Sequence, residues 1–500
     1  MKYIKYIAFT IITAIGLSSL SGCADDYLDT VPTGSVSAPT ISETLNGLYL
    51  AVNGIHRKMV SQDLGNQGMG SEPGFIMARE VHGDDITWDT QSWHQSNHTW
   101  AINTNENSAY NYGVWQTYYQ FILNANMILE SLERNFADSQ EPLAKHIKGE
   151  CLSIRAWAHF QLVQYYAKRY AAGGNNSQPG VPYRESSEAV EMARNTVEDV
   201  YSKINRDLDE AITLLAGYKP AGRGVNHYSQ KVAYGLKARV KLVQQDYALA
   251  AENAVKSIDI ALSEGLKLMS TDQLMHGFAD ISTATDETMY AAVTQDDQTV
   301  YFYSFYAYMS WNFNSSSIRT GIKCISQTTY DLMSPTDARR QWWDPTGTAA
   351  TPASNYNKRK YQNRKFTARS TANAVGDFPF MRIAEMYLIA AEAYARAGNN
   401  DSAKKYLVDF VSQRDPEYVY SGNTGAALAE EVMNHRRIEL WGEGFRWFDL
   451  KRLNLPCERT GNNFDPSFCG FLVKTQAENG WYYEIPKRET DYNTLMEKNY

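Results

Sequence analysis

Reactive side chains concentrate in two stretches of this 500-residue chain. The first is Leu20-Ser21-Gly22-Cys23. It closes a segment in which Lys2 and Lys5 precede an almost wholly apolar run from Ile7 to Leu17, the layout of an export signal. The small residues before the cysteine predict cleavage there, with acyl chains placed on the Cys23 thiol and on the new N-terminus. Three chains exceed the roughly two membrane signals that stable anchoring takes. The second stretch is residues 436–452, where Arg436, Glu439, Glu443, Arg446 and Asp449 fall at three- and four-residue steps. As an enzyme site, Glu439 and Glu443 would be an acid–base pair, and a glycosidase needs its two carboxyls about 5–10 Å apart across a sugar-sized cleft. Here the acids alternate with arginines and large apolar residues, which favours a partly buried ion-pair network. Arg436 and Glu439, Glu443 and Arg446, and Arg446 and Asp449 are each three apart, so each pair could meet on a helical face or across the glycine-containing bend.

Four cysteines follow Cys23. Cys151 is in phase with Ile154 and Ala158 on an apolar helical stripe and reads as a buried thiol. Cys457 and Cys469 flank a Gly-Asn-Asn turn. In an oxidising compartment they are a candidate disulfide, with two free thiols as the alternative. No Cys/His cluster suggests zinc, and no metal or cofactor is expected. Residues 65–70 are glycine-rich but lack a flanking strand pattern, so they read as a turn rather than a phosphate loop. Asp84-Asp85 and Asp296-Asp297 lack the ligand spacing of a calcium loop and read as solvated acids. Net charge is −8, and loss of Lys2 and Lys5 with the signal makes the mature chain more acidic still. With no basic run, nucleic acid is not an expected partner, and the membrane is reached through the lipid alone.

The elements that would carry these residues are mostly amphipathic helices. Trp115, Tyr118, Ile122, Ala125, Leu129 and Leu132 form one stripe, and a second helix is expected over 145–170. Thr196 is a good N-cap for the stripe Val197, Tyr201, Ile204, Leu208, Ala211 and Leu215. Two Ala-containing helices meet at Gln244-Gln245-Asp246, and a similar pair turns at Gly398-Asn399-Asn400. A short polar turn between Ala-rich helices is the tetratricopeptide style of pairing. The fold class is therefore mainly α: a helix-pair scaffold over about 40–60, 109–264 and 380–450, with irregular ligand-facing segments over about 61–108 and 265–378. Residues 1–22 are the signal, 23–39 an extended leash, and 40–500 a single body. The irregular segments are rich in rings, in a chain with 34 Tyr and 11 Trp. Trp88, Trp93 and Trp100 lie in the first; Tyr306, Tyr308 and Trp311 lie in the second. A pyranose needs a flat aromatic face, and His94, Asn97, Asn312 and Asn314 could bond its hydroxyls. The other reading is that each ring plugs a small satellite core.

Several strings in order resemble one family. Residues 436–452 are similar to the C-terminal signature of the SusD/RagB lipoproteins of Bacteroidetes, R-x-x-E-L-x-x-E-G-x-R-x-x-D-L-x-R. Asp26 through Pro32 resembles their D-x-L-D-x-x-P leader. Trp115 with Ala125-Asn126, Gly149-Glu150 with Arg155-Ala156, Gly180-Val181-Pro182, Arg382 with Ala384-Glu385, and Tyr483 through Pro486 resemble further family segments. The resemblance implies a non-catalytic surface lipoprotein of the outer membrane. It would capture an oligosaccharide (some members take peptides) and deliver it to a SusC-like, TonB-dependent barrel. A lipid-anchored glycoside hydrolase and a helical-repeat scaffold for outer-membrane assembly are the alternatives.

Overall fold

The computed structural model describes residues 42–61, 71–219, 224–276, 278–281, 286–295, 304–461 and 463–500. Cys23 with the rest of 1–39, the 65–70 loop, Asp296 and Asp297 lie outside the described residues. The chain divides into two units, residues 1–50 and 51–500. The described part of the first begins helix α1 (Leu45–Lys58), where the Thr44 hydroxyl accepts from the Gly47 amide at 3.0 Å. Everything below concerns the second.

Its long helices are α2 (Ser71–His82), α3 (Ala109–Phe136), α4 (Pro142–Tyr166), α5 (Val197–Leu214), α6 (Gln230–Val243), α7 (Tyr247–Ser263), α8 (Ile383–Arg396), α9 (Asn400–Val411), α10 (Gly425–Glu439) and α11 (Arg446–Arg452). Packing largely follows chain order: α3 on α4, α4 on α5, α6 on α7, α7 on α8, and α8 on both α9 and α10. This is the mainly helical, paired arrangement expected from the sequence.

Local chemistry explains the elements. The Thr196 hydroxyl accepts from the Asp199 amide at 3.1 Å and opens α5, whose stripe from Val197 to Leu215 is buried. Asp246 caps α7 and Asn399 caps α9 through the same type of side-chain acceptor. Between the paired helices the chain reverses through left-handed backbone at Gln245 (φ 60°) and Gly398 (φ 83°). Ala384, Leu388, Ala391 and Ala395 of α8 pack with Leu407 and Phe410 of α9 and with Leu428 and Val432 of α10. Helix α4 is buried on every side from residue 149 onward. Gly149 allows this, because a Cβ there would stand 2.7 Å from Leu215 at the end of α5.

The two segments expected to be irregular and ligand-facing are different from that expectation. The first contains α2, and all twelve of its residues are buried. Its charges are paired inside: Arg79 donates to Glu72 at 2.8 Å and to Tyr118 and Gln161 at 3.1 Å each. The second is built from short pieces. Ile86–Thr87, Cys324–Ile325, Gln362–Asn363 and Trp343–Asp344 form a four-stranded sheet in that order, and β-strand Thr288–Ala292 pairs antiparallel with Phe378–Arg382. Trp88, Phe305, Tyr306, Tyr308, Phe313, Trp342, Trp343, Phe366, Phe378 and Trp441 join in one aromatic core with Ile76, Met77 and Val81 of α2. Most of the ring-rich insertion is therefore interior.

Candidate functional site

The charged string lies in the same interior. Helix α10 ends at Glu439, and Gly442 (φ 81°) and Gly444 (φ 85°) turn the chain before α11 begins at Arg446. At Gly442 a Cβ would meet the Phe366 ring at 2.5 Å, so the turn also needs the missing side chain. Glu439 receives Arg382 at 2.9 Å, Arg414 at 3.0 Å and Arg339 at 3.3 Å. Glu443 receives Arg382 at 2.6 Å and Lys365 at 2.8 Å. Arg436 meets Asp449 at 2.8 Å, and Arg446 meets Asp84 at 2.6 Å. All five residues of the expected network are buried or nearly so and ion-paired, but none of the three pairs expected at three-residue spacing forms. The glycine turn rotates α11 away from α10, and the partners arrive from Lys365, Arg382, Arg414 and the Asp84-Asp85 dipeptide.

Burial alone would raise these carboxyls. For Glu439 the guanidiniums of Arg414, Arg382 and Arg339 outweigh it and hold the group well below the usual range. For Glu443 burial is likewise overcome by Arg382 and Lys365. Two ionised acids sharing one arginine have no proton to give, so this pair is unsuited to general-acid chemistry. Asp84 and Asp85 are not solvated: both are buried, with Arg437 on Asp85 at 2.6 Å.

Cys457 and Cys469 are free buried thiols, not a disulfide. Cys457 is on a short strand and Cys469 ends the helix Pro466–Cys469, and between them in the chain Arg459 donates to the carbonyls of Cys469 at 2.8 Å, His98 at 2.9 Å and Gly83 at 3.0 Å. Cys457 Sγ instead points to the His82 carbonyl, 3.6 Å away. Cys151 and Cys324 are also buried and free.

Of the six candidate rings, four have no open face. Trp88 lies between the His98 ring at 4.3 Å and the Lys323 ammonium at 4.0 Å. Burial pushes that ammonium down to about 7. Trp100 packs on Trp481 at 4.7 Å and Phe471 at 5.2 Å and donates to the His82 carbonyl at 2.9 Å. Tyr306 reaches the Phe278 and Asp377 carbonyls, and Tyr308 meets His94 edge-on at 5.0 Å. His94 and Asn97 are buried, and desolvation lowers His94 to about 3. Asn312 is a strut, exchanging two 2.8 Å bonds with the backbone of Ala368.

What remains accessible is Trp93, 43% exposed, with Trp311 half-buried and Asn314 exposed. The Trp311 indole donates to Thr367 Oγ1 at 2.9 Å, and the Arg364 guanidinium stands 4.5 Å from its ring centre. Arg364 Nε and Nη2 make no hydrogen bond. Asn314 Oδ1 accepts from Arg319 at 2.5 Å. The two ring-bearing segments do converge. Ser92 stands 3.1 Å from where a Cβ would lie on Gly321, just past the short helix Ser316–Thr320, and Asp89 pairs with Arg359 at 2.7 Å. Arg319 and Arg364 escaped the sequence reading. Arg364 is 53 positions from Trp311, and only the fold makes that spacing meaningful.

A family model described as SusD-like, starch-binding and associating with the outer membrane matches residues 62–242. A SusD-like carbohydrate-binding protein of Bacteroides vulgatus superposes with a TM-score of 0.77 at 20% identity, covering 91% of this chain and 97% of its own. A SusD superfamily protein of Bacteroides thetaiotaomicron gives 0.79 at 19%, with 91% and 100% covered. One from Parabacteroides distasonis gives 0.69 at 18%, with 93% and 99% covered. The chain has the SusD-like fold. A comparison with curated proteins gives no match. No helix of the described residues is long and apolar enough to cross a membrane.

Proposed function

We propose that this chain is a glycan-binding lipoprotein of the outer membrane, tethered through acylated Cys23. It captures an oligosaccharide outside the cell and passes it to a TonB-dependent barrel of the SusC kind, without cleaving it. The observation that carries the reading is the SusD-like fold over nearly the whole body, joined to the match of residues 62–242 to a starch-binding, outer-membrane family. The carbohydrate-binding relative in Bacteroides vulgatus supports the ligand class.

The binding rim is proposed at Trp93 and Trp311, with Asn314, Arg319 and Arg364. A pyranose offers an apolar C–H face to a ring, the neighbouring Asn314 amide and Arg319 guanidinium bond its hydroxyls, and Arg364, with Nε and Nη2 buried and Nη1 on the Ala350 carbonyl, backs the Trp311 ring. Little apolar area is buried by one or two rings, so each site binds modestly. Trp88, Trp100, Tyr306 and Tyr308 are not part of this rim, because the core uses their faces.

Two experiments test the reading. Calorimetry against a panel of soluble glycans should find at least one ligand, and no hydrolysis products should appear on long incubation. Binding of none of the panel, or release of shorter sugars, would count against it. Cys23→Ala should release the protein from outer-membrane fractions and abolish palmitate labelling; continued membrane fractionation would remove the anchor from the proposal.

A further inference from the structure

Far from the rim, one buried carboxylate is ringed by imidazoles. Glu150, in the middle of the scaffold on α4, is fully buried. His56 Nε2 stands 3.1 Å from its Oε1, His227 Nδ1 stands 3.1 Å from its Oε2, and His146 Nε2 lies 3.1 Å from Oε2. The Tyr228 amide donates to Oε1 at 2.7 Å. Among the described residues, His56, Glu150 and His227 are the group of three whose ligand atoms all lie within 4.8 Å of one another. A tetrahedral zinc takes nitrogen at about 2.0–2.1 Å and carboxylate oxygen at about 2.0–2.2 Å, which sets ligand atoms roughly 3.3 Å apart. The nitrogen–oxygen separations to Oε1, 3.1 Å from His56 and 3.2 Å from His227, are of that size.

Tyr290 Oη lies 2.9 Å from His56 Nδ1 and 3.2 Å from Met59 Sδ. A hydrogen bond on the ring nitrogen that faces away from the carboxylate is the outer-shell contact that orients a metal-bound imidazole. The two histidines also face a side pocket of about 260 Å³ that includes Asn53, Asn226 and Phe380 in its wall.

We infer that His56, Glu150 and His227 form a divalent-metal site of the zinc class, with its fourth position open to this pocket. Two histidines and one carboxylate, with water completing the tetrahedron, are a donor set that zinc accepts. His146 and the Tyr228 amide hold the carboxylate in place. The site ties His56, in the second unit, and His227, three residues before α6, to Glu150 of α4.

The test uses the full chain in detergent, stripped with EDTA and then dialysed against Zn²⁺ alone. The expected result is one zinc per chain by elemental analysis, with micromolar or tighter affinity and a raised melting temperature. Co²⁺ in place of zinc should give the visible bands of a tetrahedral site. His56→Ala and His227→Ala should each weaken zinc at least tenfold, Tyr290→Phe about tenfold, and the exposed His276→Ala not at all. Well under one zinc per wild-type chain, or no visible cobalt bands, would show a purely hydrogen-bonded cluster and overturn the inference, whether or not the variants fold. Full zinc retention by a folded His56→Ala/His227→Ala double variant would overturn it as well.

Discussion

Two interiors meet at the end of helix α10, and they are held by different physics. On one side Glu439 and Glu443 sit among Arg382, Arg414, Arg339 and Lys365, and charges are satisfied by one another and by backbone carbonyls. On the other, Phe305, Phe366, Phe378, Trp342 and Trp441 interlock ring against ring. Trp441 borders both: its ring is in the aromatic core, and its carbonyl accepts from the Lys365 ammonium at 2.8 Å. An ion network is all-or-none, because deleting one partner strands a charge away from water. A packed aromatic core yields in proportion to the volume or the bond removed. The proposed rim residues Trp93 and Trp311 belong to neither, so they should change with little cost to the fold.

The largest effect should come from acid, because it acts on every buried group of the ionic interior together. Glu439, Glu443 and Asp449 have carboxyls depressed by their cations despite burial. Desolvation also lowers His82 to about 4 and His159 and His435 to about 3, against about 6.5 unfolded. In both classes the unfolded chain binds protons at higher pH than the folded one, so stability falls as pH falls. The histidine share begins to be lost below about pH 6.5 and the carboxylate share below about pH 4.5. Glu80 opposes this trend between about pH 4.5 and 7, since burial raises its carboxyl to about 7. Burial raises the carboxyls of Asp377 and Glu489 as well, but the six groups named above outweigh these three and give a net loss. The denaturant midpoint should collapse by pH 4; a midpoint unchanged at pH 4 would break the ionic half of the comparison.

Next in size is Arg382→Ala. It removes the cation shared by Glu287, Glu439 and Glu443 and should cost about 3–5 kcal/mol by urea unfolding. Arg446→Ala should fall in the same range, with Asp84 left unpaired, though Arg437 still serves Asp85. A folded Arg446→Ala chain with normal melting and lost glycan binding would instead make that arginine functional. Smaller again is Tyr306→Phe on the aromatic side. The ring stays packed, and only the hydroxyl serving the Phe278 and Asp377 carbonyls is lost, so about 1–3 kcal/mol is expected. If it equals Arg382→Ala in cost, the two interiors do not differ in the way described.

The sequence exposes some of this and hides the rest for identifiable reasons. Stripes such as Val197 through Leu215 are legible because one face is apolar and a Thr cap marks the start. Helix α2 is not, because it is buried all round and carries Glu72, Arg79 and Glu80, so it has no polar face to contrast with an apolar one. The ionic string is legible as a network but not in its pairing, since two left-handed glycines separate Glu439 from Arg446 and partners come from as far away as Asp84. The rings of the insertion are the reverse case. Loss of helical phasing there suggests exposure, yet Tyr306 and Tyr308 lie on a five-residue helix, Phe305–Met309, that is buried on all sides and too short to show a period. Burial in an irregular segment leaves no period to read.

The smallest effect on stability should come from Trp311→Ala and Trp93→Ala, and that is what makes them informative. Trp93 is 43% exposed, and Trp311 keeps only the 2.9 Å bond to Thr367 and the Arg364 guanidinium above its ring. Removing an accessible ring leaves no large cavity, so unfolding should shift by no more than about 1 kcal/mol. A ring stacked on a sugar is worth about 1 kcal/mol, so the same change should weaken a modest glycan site several-fold. Arg364→Lys sharpens the point: an ammonium keeps the charge but loses the flat face that lies on Trp311. Calorimetry with one glycan found to bind should therefore rank wild type above Arg364→Lys and both above Trp311→Ala, with melting temperatures nearly equal. If both tryptophan variants bind as wild type does while folded, the rim is only a surface, and sugar contact must be sought among residues that neither interior nor rim includes.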